Sequence, residues 1–145
     1  MATISRADSL SAVKRQQEFF SDFLNSFAKT PVGDQLGRTI NEQSVSQSLK
    51  NLILTNLGER LFQPMIGSNI TSTLFDPFQS SVTPTSALEF FISNTIKNNE
   101  PRVYLIEVDI NESDIDKNSL VATIVYTLIN SSDPITLNFV LKRVR

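Results

Sequence analysis

The chain has 145 residues, a net charge of −2, and no cysteine, histidine or tryptophan. That length suffices for one domain with a buried core, and the near-neutral charge gives no general electrostatic reason to hold nucleic acid or an anionic membrane surface. Without thiols or imidazoles there are no disulfides, no cysteine or histidine metal sites and no imidazole-based serine triad.

Residues 1–18 are polar, with Ser5, Ser9, Ser11, Lys14, Arg15, Gln16 and Gln17, and read as an arm preceding a single domain over 19–145. Arg6, Asp8 and Glu18 add charges that do not suit a signal-peptide core. No apolar run approaches the ~20 residues of a spanning helix, so a soluble, cytoplasmically made protein is expected. Residues 19–43 admit two readings. Phe19, Phe20, Phe23, Leu24 and Phe27 share one face of an amphipathic helix, which the periodicity favours. An extended segment places Phe23, Asn25 and Phe27 on one side, with a turn at Thr30-Pro31-Val32-Gly33-Asp34 and a return strand within Gln35 to Ile40.

The next zone is helical. Ser44 and Gln47 have capping-box spacing, followed by an apolar stripe of Val45, Leu49, Leu52 and Ile53, with Gly58 placed to close the helix (about 45–56). A loop with Pro64, Gly67 and Pro77 carries Leu61, Phe62, Met65, Ile66, Ile70, Leu74, Phe75 and Phe78, and is expected to pack on the body or on a partner. Thr83 then caps a second helix (about 84–98) with Pro84 at its first position. Its buried face is Ala87, Leu88, Phe91, Ile92 and Ile96.

Pro101 lacks an amide hydrogen and disfavours a helical Glu100, so the helix ends there. Glu100 and Arg102 flank this proline as an opposite-charge pair projecting from a rigid corner. A β-meander follows over 103–110, 120–129 and 135–141. In the first strand Tyr104, Ile106, Val108 and Ile110 alternate with Val103, Leu105, Glu107 and Asp109. The second is apolar or threonine on both faces, as a central strand buried on two sides would be. The third, with Ile135, Leu137, Phe139 and Leu141 on one side, becomes an edge open to strand addition unless residues 19–28 cover it. The fold class is α+β, with two helices packed on an antiparallel sheet of three or more strands.

No catalytic or metal constellation stands out, and no cofactor is implied. Asp109, Asn111 and Ser113 start like a calcium loop, but Asp114 stands at the required glycine and Leu120 at the bidentate glutamate. Glu107, Asp109, Glu112, Asp114 and Asp116 read as a solvated hairpin tip. Glu59, Asp76 and Glu100 are the carboxylates a glycosidase would draw upon, provided one had its pKa raised by an apolar pocket. Lys142, Arg143 and Arg145 read as a solvated tail.

Taken in order, Ser46-Gln47-Ser48-Leu49-Lys50-Asn51-Leu52-Ile53-Leu54-Thr55-Asn56, Gly58-Glu59-Arg60, Phe62-Gln63-Pro64, Gly67-Ser68-Asn69-Ile70, Leu74-Phe75 and Asn99-Glu100-Pro101-Arg102-Val103 carry a resemblance. Over about 19–143 the chain resembles the baseplate wedge, or sheath-initiator, proteins of contractile-tailed phages, with relatives in type VI secretion and other contractile injection machines. It departs from them at Leu61, where the family often has proline, and in the arm at 1–18.

The resemblance implies a structural, non-enzymatic part of the tail baseplate, assembled in the host cytoplasm. Glu100, Pro101 and Arg102 would dock on a helical bundle of other wedge proteins, with Gly58, Glu59 and Arg60 also at partner contacts. The strand bearing Ile135, Leu137, Phe139 and Leu141 would face the sheath protein, with the tail tube nearby and no nucleic acid or membrane as partner. It also favours the extended reading of Phe19–Phe27. Some family members have been described as lysozyme-like, which makes a peptidoglycan hydrolase the alternative from another class. An equivalent part in a bacterial secretion machine is the alternative within the same class. On this reading Arg102→Ala is expected to leave the domain folded while blocking sheath polymerisation.

Overall fold

A computed structural model describes residues 19–30, 33, 35–75, 84–112 and 119–142. In chain order the elements are β1 (Ser21–Phe23), β2 (Arg38–Ile40), α1 (Glu42–Leu54), α2 (Ile70–Phe75), α3 (Pro84–Asn99), β3 (Val103–Glu112), β4 (Ser119–Leu128) and β5 (Ile135–Lys142). β3, β4 and β5 form an antiparallel meander with β4 in the centre, while β1 and β2 make a separate two-stranded sheet. The expected α+β class and C-terminal meander are present, joined by the short helix α2.

The core lies between the helices and one face of the meander. α1 contributes Val45, Leu49 and Ile53, α3 contributes Leu88, Ile92 and Ile96, and β4 contributes Ala122, Ile124, Tyr126 and Leu128. These positions follow helical and strand periods, so each element buries one apolar stripe. The other face of β4, with Val121, Thr123, Val125 and Thr127, is only half-buried. Burial on both sides, expected of this strand, is therefore not met: cross-strand neighbours shield the outer face in part, with no second packed layer among the described residues.

β3 departs from the expected alternation. Leu105 pairs with Tyr126 and Glu107 with Val125, so Ile106 is an extra residue in a β-bulge. The bulge reverses the phase of the strand. Val103, Leu105, Val108 and Ile110 turn inward, while Tyr104, Ile106, Glu107 and Asp109 turn outward. Strict alternation would have buried Ile106 and sent Val103 to solvent.

The N-terminal segment is extended, as the resemblance implied, but only briefly. β1 pairs with β2 from Ser21↔Ile40 to Phe23↔Arg38. A turn then closes through Phe27 N–H to Leu24 O, with Phe27 at φ 49°. The return strand is β2, extended backwards by Gly37 N–H to Ala28 O. This hairpin does not cover β5, which has no second strand partner among the described residues.

Two end signals act differently from their expected roles. α1 begins at Glu42, so Ser44 lies inside its first turn and is buried, with Asn41 at the N-cap position. Asn41 Oδ1 accepts instead from the amides of Phe19 and Phe20. α1 ends at Leu54 with Thr55 extended, so Gly58 serves a later turn. There it adopts φ +84°, which favours glycine, and donates its amide to Pro64 O at 2.8 Å. Pro84 does open α3, whereas its expected cap Thr83 lies outside the described residues.

Candidate docking site at the Glu100-Pro101-Arg102 corner

The corner is a turn closed from Val103 N–H to Glu100 O, with Pro101 at its second position, where its fixed φ suits the bend. Glu100 still donates its amide to Ile96 O, extending the α3 hydrogen-bond pattern, and Arg102 O accepts from Ile129 N–H beyond the end of β4. Helix and sheet therefore both hold the turn. Pro101 itself is exposed.

The charges beside it are not both displayed, contrary to the sequence expectation. Glu100 is 5% exposed and faces its own subunit. Arg102 Nε donates to Glu100 Oε1 at 2.6 Å and Nη2 donates to Oε2 at 2.7 Å, a two-pronged fork. Ser48 of α1 donates to Glu100 Oε2 at 3.0 Å and accepts from Arg102 Nη2 at 3.1 Å. The guanidinium also lies over the Phe20 ring, 5.5 Å from its centroid. A carboxylate buried without partners would be costly, and here the fork and the hydroxyl satisfy it.

The electrostatics follow from these contacts. Burial pushes the Glu100 carboxyl upward, but the Arg102 hydrogen bonds and charge, helped by Ser48, outweigh it and hold the group below its ordinary value. The bond to Glu100 raises the Arg102 guanidinium further, against a smaller opposing effect of burial. Arg102→Ala would therefore do more than remove a contact group. It would strand a buried carboxylate, so the expectation of an unperturbed fold does not suit this geometry.

The loop after α1 brings Arg60 to the same place. Asp22, Ser48, Asn51, Leu52, Arg60, Ile66, Asn99 and Glu100 line a recess of about 220 Å³. Gly58 and Glu59 shape this loop: the Glu59 carboxylate accepts from Asn56 N–H at 2.8 Å and its own amide donates to Asn56 O. Gly67 lets the strands of the loop meet, since a Cβ there would sit 2.8 Å from Thr55 O. Within the subunit the greasy loop packs only in part. Ile70 is buried and Ile66 half-buried, but Leu61, Phe62 and Met65 are 92%, 96% and 84% exposed. Phe78 and Asp76 lie outside the described residues, as does the side chain of Phe75.

At β5 the residues Ile135, Leu137, Phe139 and Leu141 face the core, and Thr136, Asn138, Val140 and Lys142 face out. What β5 offers a partner is its main-chain edge and not those four apolar side chains. Arg143 and Arg145 lie beyond the described residues, as do Asp114 and Asp116. Among the described residues no three carboxylates gather as a metal site, and no helix is long and apolar enough to cross a membrane.

Phe20 and Ser48 escaped the sequence reading. Phe20 looked like one member of an apolar face, and Ser48 one polar residue in a helix. Only the approach of the hairpin and α1 to the corner gives them a role.

A family model described as baseplate wedge protein gp25 matches residues 40–133. Baseplate wedge protein gp25 of Enterobacteria phage T4 is 28% identical over 102 residues, covering 69% of this chain and 74% of that one. Among solved structures, a chain of the anti-feeding prophage baseplate superposes with a TM-score of 0.64 at 24% identity, over 79% of this chain and 89% of that one. A protein described as a tail lysozyme, from Geobacter sulfurreducens, gives 0.63 at 20% identity, over 72% and 92%. A chain of the type VI secretion baseplate complex gives 0.52 at 15% identity, over 70% and 93%. These structural likenesses show a shared fold.

Proposed function

The chain belongs to the baseplate wedge protein gp25 family, and from that premise we propose that it is a non-catalytic building part of a contractile-tail baseplate. It docks on neighbouring wedge proteins at the Glu100-Pro101-Arg102 corner and templates the first sheath ring by strand addition at β5. The observation that carries this reading is the family match, whose span contains the corner, the Gly58-Glu59-Arg60 loop and the central strand of the meander.

The geometry favours particular groups for this docking. Both Glu100 oxygens are engaged inside the subunit, so the groups left for a partner are the exposed Pro101 ring and the outer edge of the Arg102 guanidinium. An arginine hydrogen bond desolvated in an assembled interface is costly to remove, about 2–5 kcal/mol. Arg60, at the same recess, adds a second cation.

The two sheet edges differ in a way that favours β5 for strand addition. β3 carries a bulge at Ile106 and outward acids at Glu107 and Asp109, devices that discourage pairing. β5 runs in unbroken register from Ile135 to Lys142. A sheath strand would find regular unpaired amides and carbonyls there. Assembly in the host cytoplasm and a place close to the tail tube belong to the same reading, and a bacterial contractile machine would use the same contacts.

The likeness to a protein described as a tail lysozyme suggests a muralytic rival. A glycosidase acid needs a carboxyl held above its ordinary pKa. Glu100 is held below, and Glu59 caps its own loop. Peptidoglycan turbidity assays should show no clearing, and clearing lost in Glu59→Gln or Glu100→Gln variants would overturn the non-catalytic reading.

The docking test uses Arg102→Lys, which keeps a cation beside Glu100 but lacks the fork and its outer edge. The variant is expected to fold yet fail to enter baseplates and to support sheath polymerisation. Normal tails would refute docking at this corner.

A further inference from the structure

Arg102 uses Nε and Nη2 within the subunit, leaving Nη1 without a hydrogen bond to the described residues, on a side chain 34% exposed. A guanidinium is planar, so fixing two nitrogens and one face fixes the direction of the third nitrogen. Glu100 fixes the first two, Ser48 Oγ receives the second Nη2 hydrogen, and the Phe20 ring supports the face. We propose that Phe20 and Ser48 are positioning residues that aim the Nη1 edge of Arg102 at a neutral oxygen acceptor, a main-chain carbonyl, on a neighbouring baseplate protein. This rests on the docking reading above.

The choice of acceptor follows from local charge. Glu100 already balances Arg102 at contact distance. Asp22 contributes a second negative charge acting on the guanidinium, and Arg60, at the recess shared with Asp22 and Glu100, a second positive one. The four charges cancel. With that balance an incoming carboxylate would meet no net positive charge and would gain little attraction from a guanidinium already paired. A neutral carbonyl costs less to take out of water than a carboxylate and still receives a charged donor whose direction is set in advance, so little side-chain freedom is lost on binding.

The test measures how much full-length chain enters baseplates purified from cells that supply the other tail proteins. Ser48→Ala and Phe20→Leu are each expected to reduce incorporation by about tenfold, with Ser48→Thr and Phe20→Tyr restoring it. In a Glu100→Gln, Arg102→Gln background, which leaves no buried charge, the same substitutions should add no further loss, because there is no guanidinium to aim. Washing wild-type particles from about 50 mM to about 500 mM NaCl should remove less than about half of the chain, as a neutral acceptor requires.

Losses that add fully in that background, or that the conservative variants fail to rescue, would mean a merely structural role and overturn the inference. Steep release by salt would indicate a carboxylate partner and overturn the choice of acceptor. If the Glu100→Gln, Arg102→Gln protein enters baseplates normally, the docking reading itself falls. If that protein enters at a reduced but measurable level while Ser48→Ala and Phe20→Leu enter normally, only the positioning inference falls.

Discussion

The Gln47 side-chain amide donates to the Phe23 carbonyl at 2.7 Å, tying the middle of α1 to the first strand of the N-terminal hairpin. Its oxygen accepts from Asn25 N–H at 3.2 Å, and Asn25 and Asn51 exchange amide hydrogen bonds nearby. A residue whose spacing suggests a helix cap therefore works as a tether between two parts of the fold. The tether matters for the corner, because Phe20 sits on the hairpin so held.

Gln47→Ala removes both bonds from a surface position, at a cost of about 1 kcal/mol. The loss should be local: amide hydrogen exchange should quicken in 20–25 and 37–40 and stay slow in β4. Uniform quickening throughout the domain would show that the hairpin and core open together.

Glu100 imposes an acid limit on stability. Its folded-state pKa lies below the ordinary glutamate value, so its contribution is complete above that ordinary value. The contribution is lost as pH falls through the lower, folded value. Glu100→Gln should cost about 1–3 kcal/mol at neutral pH and should flatten the wild-type decline on the acid side of the ordinary glutamate value. Denaturant melts across that range check the sign, and an equally steep decline in the variant would contradict it.

Phe62 is 96% exposed and buries almost nothing in the subunit. Phe62→Ser should therefore leave the isolated chain within about 0.5 kcal/mol of wild type in thermal unfolding. A larger loss would mean that the loop folds back on the body.

Deleting Ile106 should be tolerated by the core. Without that residue Val103, Leu105, Val108 and Ile110 fall into strict alternation, matching the face they already occupy. The deletion would also straighten the β3 edge and remove one of its guards against pairing. The expected outcome is a folded protein with increased self-association by sedimentation velocity, and loss of folding would show that the bulge is needed for the turn of the sheet.

Amino-acid order alone determined the elements with strong local signals. Pro84 and Pro101 bracket α3 because a proline suits the first turn of a helix and obstructs its continuation. The meander followed from apolar period and polar connectors, and the run of residues from Ser46 to Val103 was sufficient to place the chain beside its family. Tertiary structure decided what depends on approach between distant segments. It inserted the bulge at Ile106, whose phase change is satisfied only against Tyr126 and Val125 of the paired strand. It also turned Glu100 inward, because Ser48, fifty-two positions away, and Arg102 together could satisfy a carboxylate that sequence reading left in water. Local propensity is written in neighbouring residues; the partners of a buried charge are set by the packing of α1 and the hairpin against the corner.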